Sequence, residues 1–139
     1  MAKTNKDLNL KKTVVKLLTK QGFMPDFIKE GNDEQIDCII DGTSFSMFYD
    51  VENTFIGYSI IFEPNDPVSD EQYKKLNQIF EKENLPFDNL VQDEFDCIQL
   101  YGEIDSKDYS DKLVEDIVKC IKKPTGIVAE LKKISFLWK

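Results

Sequence analysis

The chain has 139 residues, with 18 basic and 26 acidic side chains and a formal charge of −8. All the cations are lysine, because the sequence contains neither His nor Arg. The missing His excludes an imidazole base, Ser-His and Cys-His nucleophile pairs and imidazole metal ligands. The missing Arg excludes the bidentate fork that grips phosphates, carboxylates and guanine edges.

A hydrophobic content of 41% is that of a folded chain, and the length suits one α+β domain over residues 1–139. Within it the reading places a core at about 5–123 and a C-terminal helical extension at 125–139. The uncharged run Asn53–Phe62 is well short of the ~20 apolar residues of a membrane helix. No apolar signal-peptide core follows Met1, and the three Cys lie in apolar segments. A cytoplasmic location with reduced thiols is the expectation. The charge is polarised. Residues 1–20 hold six Lys and one Asp, residues 119–139 six Lys and one Glu, and the stretch between them carries −18.

In chain order, the pattern predicts a first helix over about Asn5–Gln21, with an apolar stripe of Leu10, Val14, Leu17 and Leu18. Gly22 and Phe23 are suited to a Schellman ending, and Met24-Pro25 prevents continuation. Three strands are then expected, at Gln35–Ile40, Thr43–Tyr49 and Thr54–Phe62. Asp41-Gly42 is a strong two-residue hairpin signal between the first two.

Ser69 and Gln72 form a capping box for a helix near 70–84, with Tyr73, Leu76, Ile79 and Phe80 inward. Strands at Phe87–Val91 and Phe95–Ile104 follow, then a helix opening at Asp105-Ser106 with Tyr109, Leu113, Ile117 and Ile121 on one stripe. Pro124-Thr125-Gly126 breaks it before a last amphipathic stretch carrying Ile127, Leu131, Ile134 and Trp138. The expected order is α-β-β-β-α-β-β-α plus an extra C-terminal helix. It describes an antiparallel sheet with helices packed on one face.

Chemistry finds few supports in these residues. Cys38 and Cys97 have no neighbouring Lys to stabilise a thiolate, and Lys119 points away from Cys120 on a helix. Asp37 with Asp41, Asp50 with Glu52, and Asp93 with Glu94 and Asp96 are near neighbours. Alternation along a solvated face accounts for them; a carboxylate enzyme using a divalent ion is the lowest-ranked alternative. No nucleotide-binding glycine loop and no calcium-loop spacing is present. No catalytic residue, metal ligand or cofactor is therefore assigned. An acidic centre disfavours nucleic acid, and no membrane contact is expected. Ser135-Phe136-Leu137-Trp138 places the only Trp near the chain end, where it either docks into the core or anchors a partner.

The hairpin at Asp41-Gly42, the long Thr54–Phe62 strand ending at Pro64, the capped Ser69 helix and the strand ending Cys97-Ile98-Gln99-Leu100-Tyr101 before Ser106 together give an order that resembles the YbjN family and the structurally similar type III secretion chaperones. The resemblance covers about residues 5–123 and implies a non-enzymatic role: dimerising and holding an extended client segment. Strand addition at a sheet edge would be the physical means. The expected function is thus a cytoplasmic, chaperone- or regulator-like protein-binding module, with a possible homodimer. Phe136, Leu137 and Trp138, with Asp37 and Asp41, are its candidate partner-binding residues. The alternative is an acidic inhibitor, immunity-type or DNA-mimic protein that covers a basic site.

Overall fold

Short hairpin turns lay out the first half of the sheet. In the computed structural model, which describes residues 8–135, Gly31 (φ 60°) and Asn32 join β1 (Asp26–Glu30) to β2 (Asp33–Ile40). Positive φ at the first turn position is the II′ pattern that glycine permits. Asp41 and Gly42, at φ 46° and 81°, make the I′ turn from β2 to β3 (Thr43–Asp50). Asp50 caps the next loop, accepting the Asn53 N–H at 3.0 Å before β4 (Phe55–Phe62). The remaining strands are β5 (Asn89–Gln92) and β6 (Ile98–Asp105). All pairings are antiparallel, in the order β1-β2-β3-β4-β6-β5.

The fold is α+β, and β1 is one strand more than the sequence pattern led us to expect. Asp-Phe-Ile-Lys-Glu lacks period-2 alternation, because an edge strand with both sides of its backbone half-exposed has little apolar face to encode.

Alternation along the other strands segregates the two faces. Ile36, Met47, Tyr58 and Gly102 align across β2, β3, β4 and β6, as do Cys38, Phe45, Ile60 and Leu100. The apolar members of both rows are buried and join helical residues in one core. The opposite face carries Gln35, Asp37, Ser44, Ser46 and Phe48, and among the described residues no helix covers it.

Helical structure begins with a π-helical segment, Lys11–Val15, running into α1, Lys16–Lys20. The expected start near Asn5 is not met: residues 8 and 9 are not helical, and earlier ones lie outside the described residues. So short a helix is unstable alone. Leu10, Val14 and Leu18 are fully buried, and burying each contributes about 1.5–3 kcal/mol, enough to hold it on the sheet. The Schellman ending forms, with Phe23 N–H donating to Leu18 O and Gly22 N–H to Thr19 O, both at 3.0 Å.

α2 (Asp70–Glu81) starts at Ser69 with the expected capping box. α3 (Asp111–Lys122) does not open at Ser106 as the sequence suggested. Asp105 instead accepts the Lys107 N–H at 3.0 Å and closes a 3₁₀ turn over Ser106–Asp108; Tyr109 is extended, and the helix starts after Ser110. The local side-chain bond wins over helix continuation there.

α4 (Gly126–Ile134) buries Ile127, Val128 and Leu131 in the same core as the rest. Its end is tied to the loop after β4, where Asn65 N–H donates to Ile134 O at 2.7 Å. Among the described residues, no helix is long and apolar enough to cross a membrane.

Candidate functional site

Asp37 and Asp41 fall in one corner of the uncovered sheet face, on either side of Ile39. Ile39 is 56% exposed, although it sits mid-way along a strand whose neighbours Cys38 and Ile40 are buried. The alternation that buries those two must turn Ile39 outward. Two adjoining clefts share Ile39 and Ser44. One, of about 490 Å³, is lined by Gly22, Phe23, Met24, Asp26, Asp37 and Cys38; the other, of about 290 Å³, includes Asp41, Glu63 and Cys97. Met24, 90% exposed, overhangs the first.

The acids in this corner are held in different ways. Asp37 accepts Ser46 Oγ at 2.8 Å and Gln35 Nε2 at 3.1 Å, which orients its carboxylate on the sheet surface. Asp26 stands directly opposite Asp37 in the β1–β2 register. Among the described residues neither has a lysine partner, since the ion pairs there are Lys112–Asp116 and Lys133–Glu130. Like charges facing across strands repel, so this pair favours an incoming cation.

Three lysines are engaged elsewhere, Lys132 among them although it lines the second cleft. Lys122 Nζ lies 5.2 Å from the centre of the Phe23 ring, Lys11 Nζ 5.9 Å from that of Phe27, and Lys132 Nζ donates to Ile121 O at 2.9 Å at the end of α3.

The other acidic groupings singled out in the sequence work inside loops. Asp50 binds Asn53 through its side chain and N–H, which holds its carboxyl below the usual carboxylate range. Asp93 accepts the N–H groups of Phe95 and Cys97 at 2.8 and 3.0 Å and so shapes the β5–β6 turn. Phe95 protrudes from that turn, 77% exposed. Among the described residues, no three acidic or thiol side chains gather in a way that could hold a metal ion.

All three thiols are pushed up, first by burial and then by carboxylates: Asp26 beside Cys38, Asp93 beside Cys97 and Asp116 beside Cys120. That environment keeps sulfur protonated and a poor nucleophile. Phe136, Leu137 and Trp138 lie outside the described residues.

Two carboxylates that the sequence reading did not single out have structural work at a distance. Glu34 accepts the Leu10 N–H, and Glu83 accepts the Ile127 N–H at the start of α4. No local pattern marks either, because each partner is more than 20 residues away. For Glu34 a signal was present: its even-numbered position shares strand parity with buried Ile36, Cys38 and Ile40. Comparison with protein-family models, curated proteins and solved structures finds no match for this chain.

Proposed function

We propose that this chain is a cytoplasmic protein-binding module, chaperone- or regulator-like and without chemistry of its own, that receives a partner protein on the acidic corner around Ile39. The observation that carries this reading is an exposed strand isoleucine, with Met24 beside it, rimmed by Asp26, Asp37, Asp41 and Glu63. Apolar surface inside a charged rim is the arrangement of a recognition site. The resemblance to the YbjN family and type III secretion chaperones supports the same reading, and the raised thiols support the absence of nucleophilic catalysis.

The acidic rim also suits an inhibitor that covers a basic site on a folded protein. Salt separates the two: a folded basic partner associates with strongly salt-dependent kinetics, and an unfolded apolar client does not.

The test is affinity capture from the source cell, followed by binding of the captured partner to wild type and to an Asp37→Lys/Asp41→Lys variant. Asp37 is half-buried and hydrogen-bonded and Asp41 holds the turn at φ 46°, so affinity is compared at a temperature where unfolding curves show both proteins fully folded, and there it should fall about tenfold or more. Equal affinity for wild type and a folded variant would refute the site. Turnover of an ester, phosphate or glycoside, abolished by mutating a carboxylate cluster, would refute the non-enzymatic reading.

A further inference from the structure

The face of the sheet turned away from the core is acidic and partly apolar at once. Ile28, Ile39 and Val91 are exposed on it, and Phe48, Phe55 and Ile61 lie half-buried between them. Asp26, Glu30, Asp37 and Glu103 share the face, and no lysine does. The six strands hold a single Lys, Lys29, which stands opposite Glu34 on the covered side. The register also gives the face a shape. Ser46 and Ser59 floor the middle of β3 and β4, with Ile61 towards one end and Phe48 and Phe55, their rings 6.4 Å apart, towards the other. Tyr101 leans over Gly57, its hydroxyl 2.9 Å from where a Cβ would stand, and fills that dip. Asp37 flanks the trough from β2, opposite Ser46, and Glu103 flanks it from β6, opposite Gly57. Among the described residues neither is paired with a lysine.

We propose that this face docks one amphipathic helix of the partner protein, rich in lysine and arginine and lying along β3 and β4. The idea rests on the protein-binding reading above and specifies the form of the partner. The strands on either side, β2 and β6, are three spacings apart, or about 14 Å, which admits one helix of about 10–12 Å. The apolar stripe of the helix meets Ile61, Phe48 and Phe55 over the small serine floor. Its basic flanks meet Asp37 on one side and Glu103 on the other, and the Phe48 and Phe55 rings offer their faces to a guanidinium. Charge complementarity selects this occupant, because a face with acids and no base draws in a cationic partner. A strand laid flat on the sheet would leave its backbone groups unpaired, which a helix does not. A second copy cannot pair the face with its own, since the same acids would oppose each other.

The 8 residues of β4 span about 27 Å, the length of about 18 helical residues. The probe is therefore the peptide acetyl-Lys-Leu-Ala-Lys-Leu-Leu-Arg-Lys-Leu-Ala-Lys-Leu-Leu-Arg-Lys-Leu-Ala-Lys-amide, titrated into the full chain labelled with ¹⁵N. Saturable shifts are expected at the Ser46, Phe48, Gly57, Ser59 and Glu103 amides. Glu103→Lys should weaken binding about tenfold or more. Glu115→Lys makes the same charge change at an exposed position of α3 and should weaken it about twofold or less. Shifts confined to other residues, no binding, or equal losses in the two variants would overturn the docking. So would equal binding of a peptide with the same residues reordered to spread leucine round the helix. The same amides shifting on dilution of the free chain, or on removal of residues 136–139, would overturn it too, because a second copy or the chain's own end would then hold the face. The captured partner's affinity for the Asp37→Lys/Asp41→Lys variant decides the broader reading independently. That reading survives a failed peptide if the affinity falls, and is lost if it does not.

Discussion

Glu34 Oε1 accepts the backbone N–H of Leu10 at 2.7 Å, with Leu10 fully buried and Glu34 only 7% exposed. A sheet carboxylate thus holds the entry to the first helix, where unpaired N–H groups and the positive end of the dipole favour an anion. Burying a charge is costly unless it is hydrogen-bonded, so the two groups depend on each other. Glu34→Ala leaves the Leu10 N–H without its acceptor and should destabilise by about 1–3 kcal/mol. Glu34→Gln keeps an acceptor and loses only charge, which should cost about 1 kcal/mol or less. Urea unfolding of both variants checks the ranking. Equal, negligible losses would show that Glu34 does not hold the helix.

Gly102 sits in β6 because Tyr58 lies against it. A Cβ there would come within 2.5 Å of the Tyr58 hydroxyl and 2.6 Å of its ring carbon Cζ. Tyr58 has little freedom to yield, since its hydroxyl donates to Pro86 O at 2.7 Å and its ring packs 5.9 Å from that of Phe87. Gly102→Ala should therefore destabilise by about 1–3 kcal/mol, as overpacking does. Adding Tyr58→Phe removes the hydroxyl and leaves the ring in the way, so the double variant should not recover. A double-mutant cycle by thermal or urea unfolding tests this; full recovery would show that only the hydroxyl is obstructed.

What could be read from the sequence was local. The Ser69–Gln72 capping box, the Asp41-Gly42 turn and the Gly22 helix ending each depend on residues within five positions of one another, and each forms. Alternation in β2 and β3 was legible because one face is buried. β1 is not legible although Gly31-Asn32 is itself a two-residue hairpin signal, because no apolar alternation precedes it. The apolar stripe of α3 runs back to Tyr109 and predicts an earlier start, while the Asp105 side chain stops the turn there. Asp37 and Asp41 could be named from strand parity. The meeting of Asp37 with Met24 and Asp26 could not, since it depends on how β1 registers against β2.

Gly126 opens α4 at φ 53°, with Glu83 packed where a side chain would stand. Two penalties act together in Gly126→Ala. The left-handed conformation costs a residue with a Cβ about 1–2 kcal/mol, and the added methyl displaces the carboxylate that accepts the Ile127 N–H. Glu83→Gln tests the second effect alone and should cost less than Gly126→Ala. The readout is chemical denaturation, with backbone amide exchange at Ile127 reporting the cap. A neutral Gly126→Ala would mean that Glu83 moves aside freely and that its bond contributes little.

Alkaline pH should loosen this fold through its tyrosines. Burial, then the charge of Asp88, pushes the Tyr58 hydroxyl from 10.0 to about 12. Burial and the 2.5 Å bond to Glu103 raise Tyr101 to about 12 as well. Burial and Asp111 raise Tyr109 further. Below about pH 10 these phenols are neutral in both folded and unfolded chains, and their contribution is fully present. Between about pH 10 and 12 the unfolded chain ionises while the folded one does not, so stability falls as pH rises. The difference between variants is the useful quantity. At pH 8 Tyr58→Phe should lose about 1 kcal/mol with its hydrogen bond to Pro86. From pH 10 to 12 its urea midpoint should decline less steeply than that of wild type, so that the two curves meet within this window. Parallel declines would show that Tyr58 ionises as readily in the fold as out of it.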